Sequence, residues 1–274
     1  MIAIVTLLII SMTAIGWITS SQWRLNRQRS IVASKPFPTL WRNILKKRFP
    51  YFKAMPTDLQ LQLKKHIQVF INEKQFVGCD GFDINDEVKV TIAAQACLLL
   101  LNRKTDYYPK LKQILVYPSA FIVHQNRTDI AGVYSTQRNV LLGESWEYGK
   151  VVLSWNSTVE GAADPFDGSN VVIHEFAHQL DQEDGSANGA PPLRDFTSYR
   201  SWSATLGQEF KQLQHCAQQH IPSLFNYYGA TNPAEFFAVI SETFFERPIE
   251  FYQQHNQLYK ELSQFYQLDP INWH

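Results

Sequence analysis

The sequence predicts an α+β domain with a small mixed sheet, and three observations lead there. Segments with apolar residues at spacings of three and four stand on both sides of two segments rich in β-branched and aromatic residues, 113–124 and 138–161. No internal repeat or low-complexity linker divides the chain. With 274 residues and 14% aromatic content there is material for a sizeable buried core.

The first element is apolar throughout. Residues 2–18 (IAIVTLLIISMTAIGWI) carry no charge, and only Thr6, Ser11, Thr13 and Gly16 interrupt the run. The length is near the lower limit for a membrane span. No basic residue precedes it and no clear small-x-small site follows, which argues against a cleaved signal peptide. Arg24, Arg27, Arg29, Arg42, Lys46, Lys47 and Arg48 come after it. The positive-inside rule then predicts an N-terminal anchor in the inner membrane, with the main domain in the cytoplasm. The competing reading is a cytoplasmic protein whose N-terminal hydrophobic helix docks on its own surface. The expected division is residues 1–30 for this segment and 31–274 for the main domain.

Residues 36–56 read as an irregular lead-in with aromatic anchors. PTDLQLQLKKHIQVFINEKQF has the period of an amphipathic helix starting at Thr57 or Asp58. DEVKVTIAAQACLLLLN, from Asp86, is richer in apolar residues and predicts a buried helix. QILVYPSAFIVH and RNVLLGESWEYGKVVLSWNSTVEG predict strands, broken by turn residues. NVVIHEFAHQLDQ predicts the next helix, opening near residues 167–170. EDGSANGAPPLRD is a loop, followed by helices around 202–219 and 232–246, then a last helix and a tail.

Composition narrows the function classes. Lys plus Arg and Asp plus Glu balance at 25 each, so nothing argues for nucleic-acid binding. The three cysteines, Cys79, Cys97 and Cys216, have no CxxC spacing and predict no disulfide framework.

The chemistry concentrates in HEFAH. Residues four apart share a helix face, so His174 and His178 can offer nitrogens to one zinc ion. Glu175 sits beside them, placed to take a proton from a water that zinc acidifies and to pass it to a leaving amine. Val171, Val172, Ile173, Phe176, Ala177 and Leu180 would bury the helix and keep the site dry. A metzincin would carry glycine and histidine where Asp181 and Asp184 stand, so that subclass is excluded. Three ligands in one row of one helix surround a tetrahedral metal poorly, which gives Asp181 an outer-shell or structural role. The third ligand should come from another helix. In NPAEFFAVISETFFE, Asn232 has the look of an N-cap and Pro233 of a first helical residue. Glu235 and Glu242, seven apart on one face of this apolar helix, are both candidates, and spacing leaves the choice open. Glu235 also has a structural alternative as the far side of a capping box. His215, Cys216 and His220 read as a solvated helix face.

These blocks, HEFAHQLD, DGSANGAPPL, ILVYPSAFIV, ESWEYGKVVLSW and YGATNPAEFFAVISETFF, resemble the Mlc titration factor A family of zinc metallopeptidases over roughly residues 36–248. That family is similar in its catalytic core to the anthrax lethal factor protease domain, a zincin-like fold of gluzincin type. In both, a tyrosine lies seven residues before the glutamate ligand. The resemblance therefore implies Glu235 as the third ligand, and Tyr228 as a phenol that supports the oxyanion of the tetrahedral intermediate. Glu242 then becomes the group that orients a histidine. The resemblance also implies aminopeptidase activity on short peptides, and a transcriptional regulator as partner. Soluble members of the family lack the apolar N-terminal run. KVVLSW, just ahead of the metal helix, is expected to be the sheet edge that binds substrate backbone through Val151, Val152 and Leu153. Asp181, Glu183, Asp184 and Glu144 are candidates to hold a substrate α-amine. A non-catalytic regulator-binding protein with a zinc site is the alternative, although a structural zinc has no use for Glu175.

Overall fold

The computed structural model describes residues 2–104, 106–119, 121–128, 134–141, 143–146 and 149–273. Helix α1 (Ile2–Ser34) leads into α2 (Thr39–Arg48), α3 (Tyr51–Ala54) and α4 (Thr57–Glu73). The segment expected to be irregular is thus largely helical. Pro38 and Pro56 stand just before α2 and α4, where a fixed φ and a missing N–H suit a helix entrance. Then come β1 (Gln75–Gly78), α5 (Asp86–Leu98), β2 (Gln113–Tyr117), β3 (Phe121–Thr128), β4 (Tyr134–Leu141), β5 (Gly143–Trp146) and β6 (Lys150–Ser154). Helices α6 (Trp155–Ala163), α7 (Val171–Asp181), α8 (Phe196–Gln219), α9 (Pro233–Glu246), α10 (Pro248–Gln254) and α11 (Asn256–Tyr266) follow. The last strand block expected from the sequence therefore ends at Ser154. Its side chain accepts a hydrogen bond from the Ser157 N–H and starts α6. The expected single last helix is two, separated at His255.

Four strands form one mixed sheet in the order β1-β2-β6-β5. The first three run parallel and β5 is antiparallel to β6. Strands β3 and β4 pair with each other as a separate antiparallel ribbon, from Phe121 opposite Leu141 to Thr128 opposite Tyr134. This corrects the expected substrate edge. Strand β6 has β2 on one side and β5 on the other, and Val151, Val152 and Leu153 are all buried. A short run that is apolar at successive positions belongs to a strand covered on both faces, and here it is an inner strand. The outer strand on that side is β5, which lies alongside α7.

The expected membrane anchor finds no support. Among the described residues no helix is long and apolar enough to cross a membrane. The apolar run of residues 2–18 continues in the same helix through Thr19, Ser20, Ser21 and Gln22 to the arginines. The far end of α1 belongs to the domain. Arg29 Nε meets Glu73 Oε1 at 2.6 Å, its Nη1 meets Asp106 Oδ1 at 2.8 Å, and its guanidinium lies 4.8 Å from the Tyr107 ring centre. The division expected at residue 30 falls inside this unbroken helix.

The core lies between the sheet and α4, α5, α7 and α9. Phe176 of α7 packs against Tyr108 and Phe70, with ring centres 4.9 and 5.7 Å away. Phe236, Phe237, Phe244 and Phe245 bury α9. The loop after α7 is tied back to its end. The Gly189 N–H donates to Asp181 Oδ2 at 2.7 Å, and Trp202 Nε1 donates to the Gly189 carbonyl at 2.9 Å. Gly189 has φ +80, and a Cβ there would stand 2.4 Å from the Pro233 carbonyl oxygen. Gly189→Ala is therefore expected to destabilise the fold by at least the roughly 1–3 kcal/mol of a strained backbone. Urea unfolding should show a lower midpoint, and an unchanged midpoint would contradict this packing.

Candidate metal centre

Helix α7 starts where Asn170 can cap it. Asn170 Oδ1 accepts from the Ile173 N–H at 3.0 Å. The helical period then brings His174 and His178 to one face, with ring centres 4.9 Å apart and planes at 82°. Helix α9 packs across α7. Asn232 caps it by accepting from the Glu235 N–H at 3.0 Å, and Pro233 occupies its first turn. The Glu235 side chain faces the histidines. Its Oε2 lies 3.0 Å from His174 Nε2 and 3.3 Å from His178 Nε2. Glu242 meets the opposite edge of the same ring, with Oε1 2.8 Å from His174 Nδ1. The two carboxylates left open by spacing thus occupy different places. One faces both imidazoles and the other holds one of them from behind.

His174, His178 and Glu235 offer ligand atoms within 4.8 Å of one another and could hold a metal ion. Among the described residues no other group of three His, Cys, Asp or Glu does so, and His215, Cys216 and His220 form none. The proton affinities suit a cation at this point. Burial opposes ionisation of Glu235, but the hydrogen bonds from His174 and His178 outweigh it and hold its pKa down to about 2. Burial likewise opposes a charge on His174, yet Glu235 and Glu242 raise its pKa well above the usual range. A divalent cation would supply the positive charge that a proton supplies otherwise. Two imidazoles and one carboxylate form a donor set suited to a catalytic ion, which would keep a further position for water.

Around these residues the structure adds two that the sequence did not single out. Glu242 Oε2 accepts from the Asn170 N–H at 2.5 Å, so one carboxylate links His174 to the start of its own helix. Asn170 Nδ2 donates to the Gly161 carbonyl and to Glu246 Oε1, both at 3.0 Å. Glu246 lies one turn beyond Glu242 on a stretch of helix otherwise without charge, and this i to i+4 repeat was the available signal. Burial above all, then the charges of Asp167 and Glu242, raise the Glu246 pKa from 4.5 to about 9. The folded chain keeps a proton there that the unfolded chain releases above about pH 4.5. Glu246 therefore destabilises the fold increasingly as pH rises from about 4.5 to about 9. Glu246→Gln keeps the acceptor for Asn170 and cannot titrate. It is expected to stabilise the chain by about 3 kcal/mol at pH 7, with the gain fading towards pH 5. Chemical denaturation at both pH values measures this, and equal stability of the two proteins at pH 7 would refute it.

The remaining expected residues fall as follows. Glu175 is 4% exposed on α7, directly after His174. Tyr228 lies in a 3-10 turn, Tyr227–Ala230, that packs on α9. It is 53% exposed, and its ring centre is 5.9 Å from that of His174. The neighbouring Tyr227 hydroxyl donates to the Ile221 carbonyl at 2.6 Å and is committed elsewhere. Asp181 is fully buried and accepts from the loop at Gly189, which removes it from any role in holding a substrate amine. Glu183 is half-buried, Asp184 is exposed, and the side chain of Glu144 lies outside the described residues.

Comparison with known proteins places the chain in a wider set. The family model described as glucose-regulated metallo-peptidase M90 matches residues 21–267. An uncharacterized protein of Synechocystis sp. is 39% identical over 270 residues, covering 98% of each chain. Mlc titration factor A of Escherichia coli O1:K1 / APEC is 33% identical over 230 residues, or 81% of this chain and 84% of its own length. Mlc titration factor A of Escherichia fergusonii is 31% identical over 226 residues, with the same coverage.

Proposed function

The chain belongs to the glucose-regulated metallo-peptidase M90 family, and from that premise we propose that it is a zinc-dependent peptidase, an aminopeptidase acting on short peptides. The observation that carries this reading is the single oxygen of Glu235 facing Nε2 of both histidines. His174, His178 and Glu235 would hold the ion. Zinc, when bound, acidifies a water molecule and polarises the scissile carbonyl.

The chain's own residues do the rest. Glu175 takes the proton of the attacking water and later gives it to the departing amine. Glu175 follows His174 directly on α7 and is buried there. Tyr228, beside His174, donates its phenolic hydrogen to the oxyanion as charge develops there. Glu242 keeps the His174 ring in one orientation and fixes which nitrogen faces the ion. The apolar faces of α7 and α9 exclude water from behind the site. Among the described residues the outer strand β5 pairs with β6 alone, and an extended peptide would add on its other side as a further strand.

A second reading has one observation in its favour. Two relatives bear the name Mlc titration factor A, and by that name they titrate Mlc. Binding of a transcriptional regulator by this chain is compatible with catalysis or could replace it. The test is metal removal. One zinc per chain is expected by elemental analysis. Hydrolysis of a panel of amino-acid anilides should vanish with a chelator and return with zinc. A zinc-loaded chain that cleaves no anilide and no peptide, while binding a regulator, would replace the peptidase reading with the second one.

A further inference from the structure

A cavity of about 870 Å³ lies away from the metal centre, between the turn after α5, the end of the loop after α7, and α11. None of His174, His178, Glu235, Glu175 or Tyr228 lines it. Its size is that of a small-molecule site. Three cations reach it: Arg103, Lys104 and Arg194. Among the described residues none of them makes an ion pair. The two carboxylates on the same wall are already engaged. Asp195 caps α8, accepting from the Ser198 N–H at 2.8 Å and its hydroxyl at 3.0 Å. Glu261 accepts from the Ser201 hydroxyl.

The two guanidiniums are held in place. Arg103 lies 4.2 Å from the ring centre of Phe265, and its Nη1 is buried with no hydrogen-bond partner. Stacking on an aromatic face fixes the plane of the fork. Arg194 Nη2 stands 3.2 Å from the Gln267 amide oxygen, in the orientation in which that amide also donates to the Asn102 carbonyl at 2.7 Å. Arg103 and Arg194 both line the cavity, and an incoming oxyanion would meet the positive charge of both. Amides from Asn102, Gln264 and Gln267 line the same wall and suit the polar body of a ligand rather than an apolar one.

We propose that this cavity is a second binding site, which takes a small polar organic anion through the guanidiniums of Arg103 and Arg194. Phosphate monoesters and dicarboxylates present the same paired oxygens to such a fork, and the experiment separates them. Isothermal titration of the full-length, zinc-loaded chain with inorganic phosphate and, separately, malonate is made at constant ionic strength. Saturable one-to-one binding of at least one anion is expected, and the anion that binds names the ligand class. Arg103→Gln and Arg194→Gln should each weaken it by about tenfold or more, as loss of a charge-assisted bidentate contact does. Arg194 is exposed, so its variant keeps the test valid if Arg103→Gln unfolds. No saturable binding of either anion would overturn the proposal. So would binding of unchanged strength in Arg194→Gln, which would put the anion on the zinc or elsewhere.

Discussion

Glu175→Gln is expected to keep its zinc and to lose about 10²–10⁴-fold in kcat, the range that a positioned general base contributes. Glutamine has nearly the volume of glutamate, and at 4% exposure Glu175 has no room to be replaced by water. The packing of α7 around Phe176 should therefore survive. His174, His178 and Glu235 are untouched, so metal content should match the parent. What disappears is the capacity to accept a proton from the attacking water. Because that transfer belongs to the transition state, KM should change little while kcat falls. Anilide turnover measured beside zinc stoichiometry decides the matter. Equal turnover by parent and variant would remove Glu175 from the mechanism. An equal loss of zinc would turn it into a structural residue.

Glu235→Ala is expected to abolish activity by a different route, through loss of the metal. Its Oε2 is the one carboxylate oxygen facing both imidazoles, at 3.0 and 3.3 Å. Removing it leaves two imidazoles on one helix and no carboxylate among the ligands. Glu242 touches only the far nitrogen of His174. Its replacement by glutamine should cost the roughly 10–100-fold in affinity typical of outer partners, and Glu235→Ala should cost more than that. Competition with a chromophoric chelator ranks the two variants. The opposite ranking, with Glu242→Gln the weaker binder, would exchange the roles of the two glutamates.

Those two carboxylates also show where sequence reading stops. The sequence by itself determined what is local. The spacing of His174, Glu175 and His178 is a property of the backbone period, which places i and i+4 on one face wherever the helix lies. The cap Asn232 was legible because a capping side chain bonds an N–H only two or three residues on. The resemblance of several separate blocks pointed to Glu235 and Tyr228, and the family match extends over residues 21–267.

Tertiary structure alone decided the rest. Seven residues are nearly two full turns, so Glu235 and Glu242 share a face and no periodicity separates them. The crossing of α9 over α7 does, since it sets one glutamate before the imidazoles and the other behind. The same limit explains β6. An apolar strand looks alike at the edge and inside a sheet, and only its partners β2 and β5 showed it to be inner. The hydrophobic N-terminal run was read for its length, but the docking of Arg29 onto Glu73 and Asp106 involves residues 44 and 77 positions away. Asn170 and Glu246 meet across 76 positions. Contacts of that range have no period in the chain, and they exist only after the helices have packed.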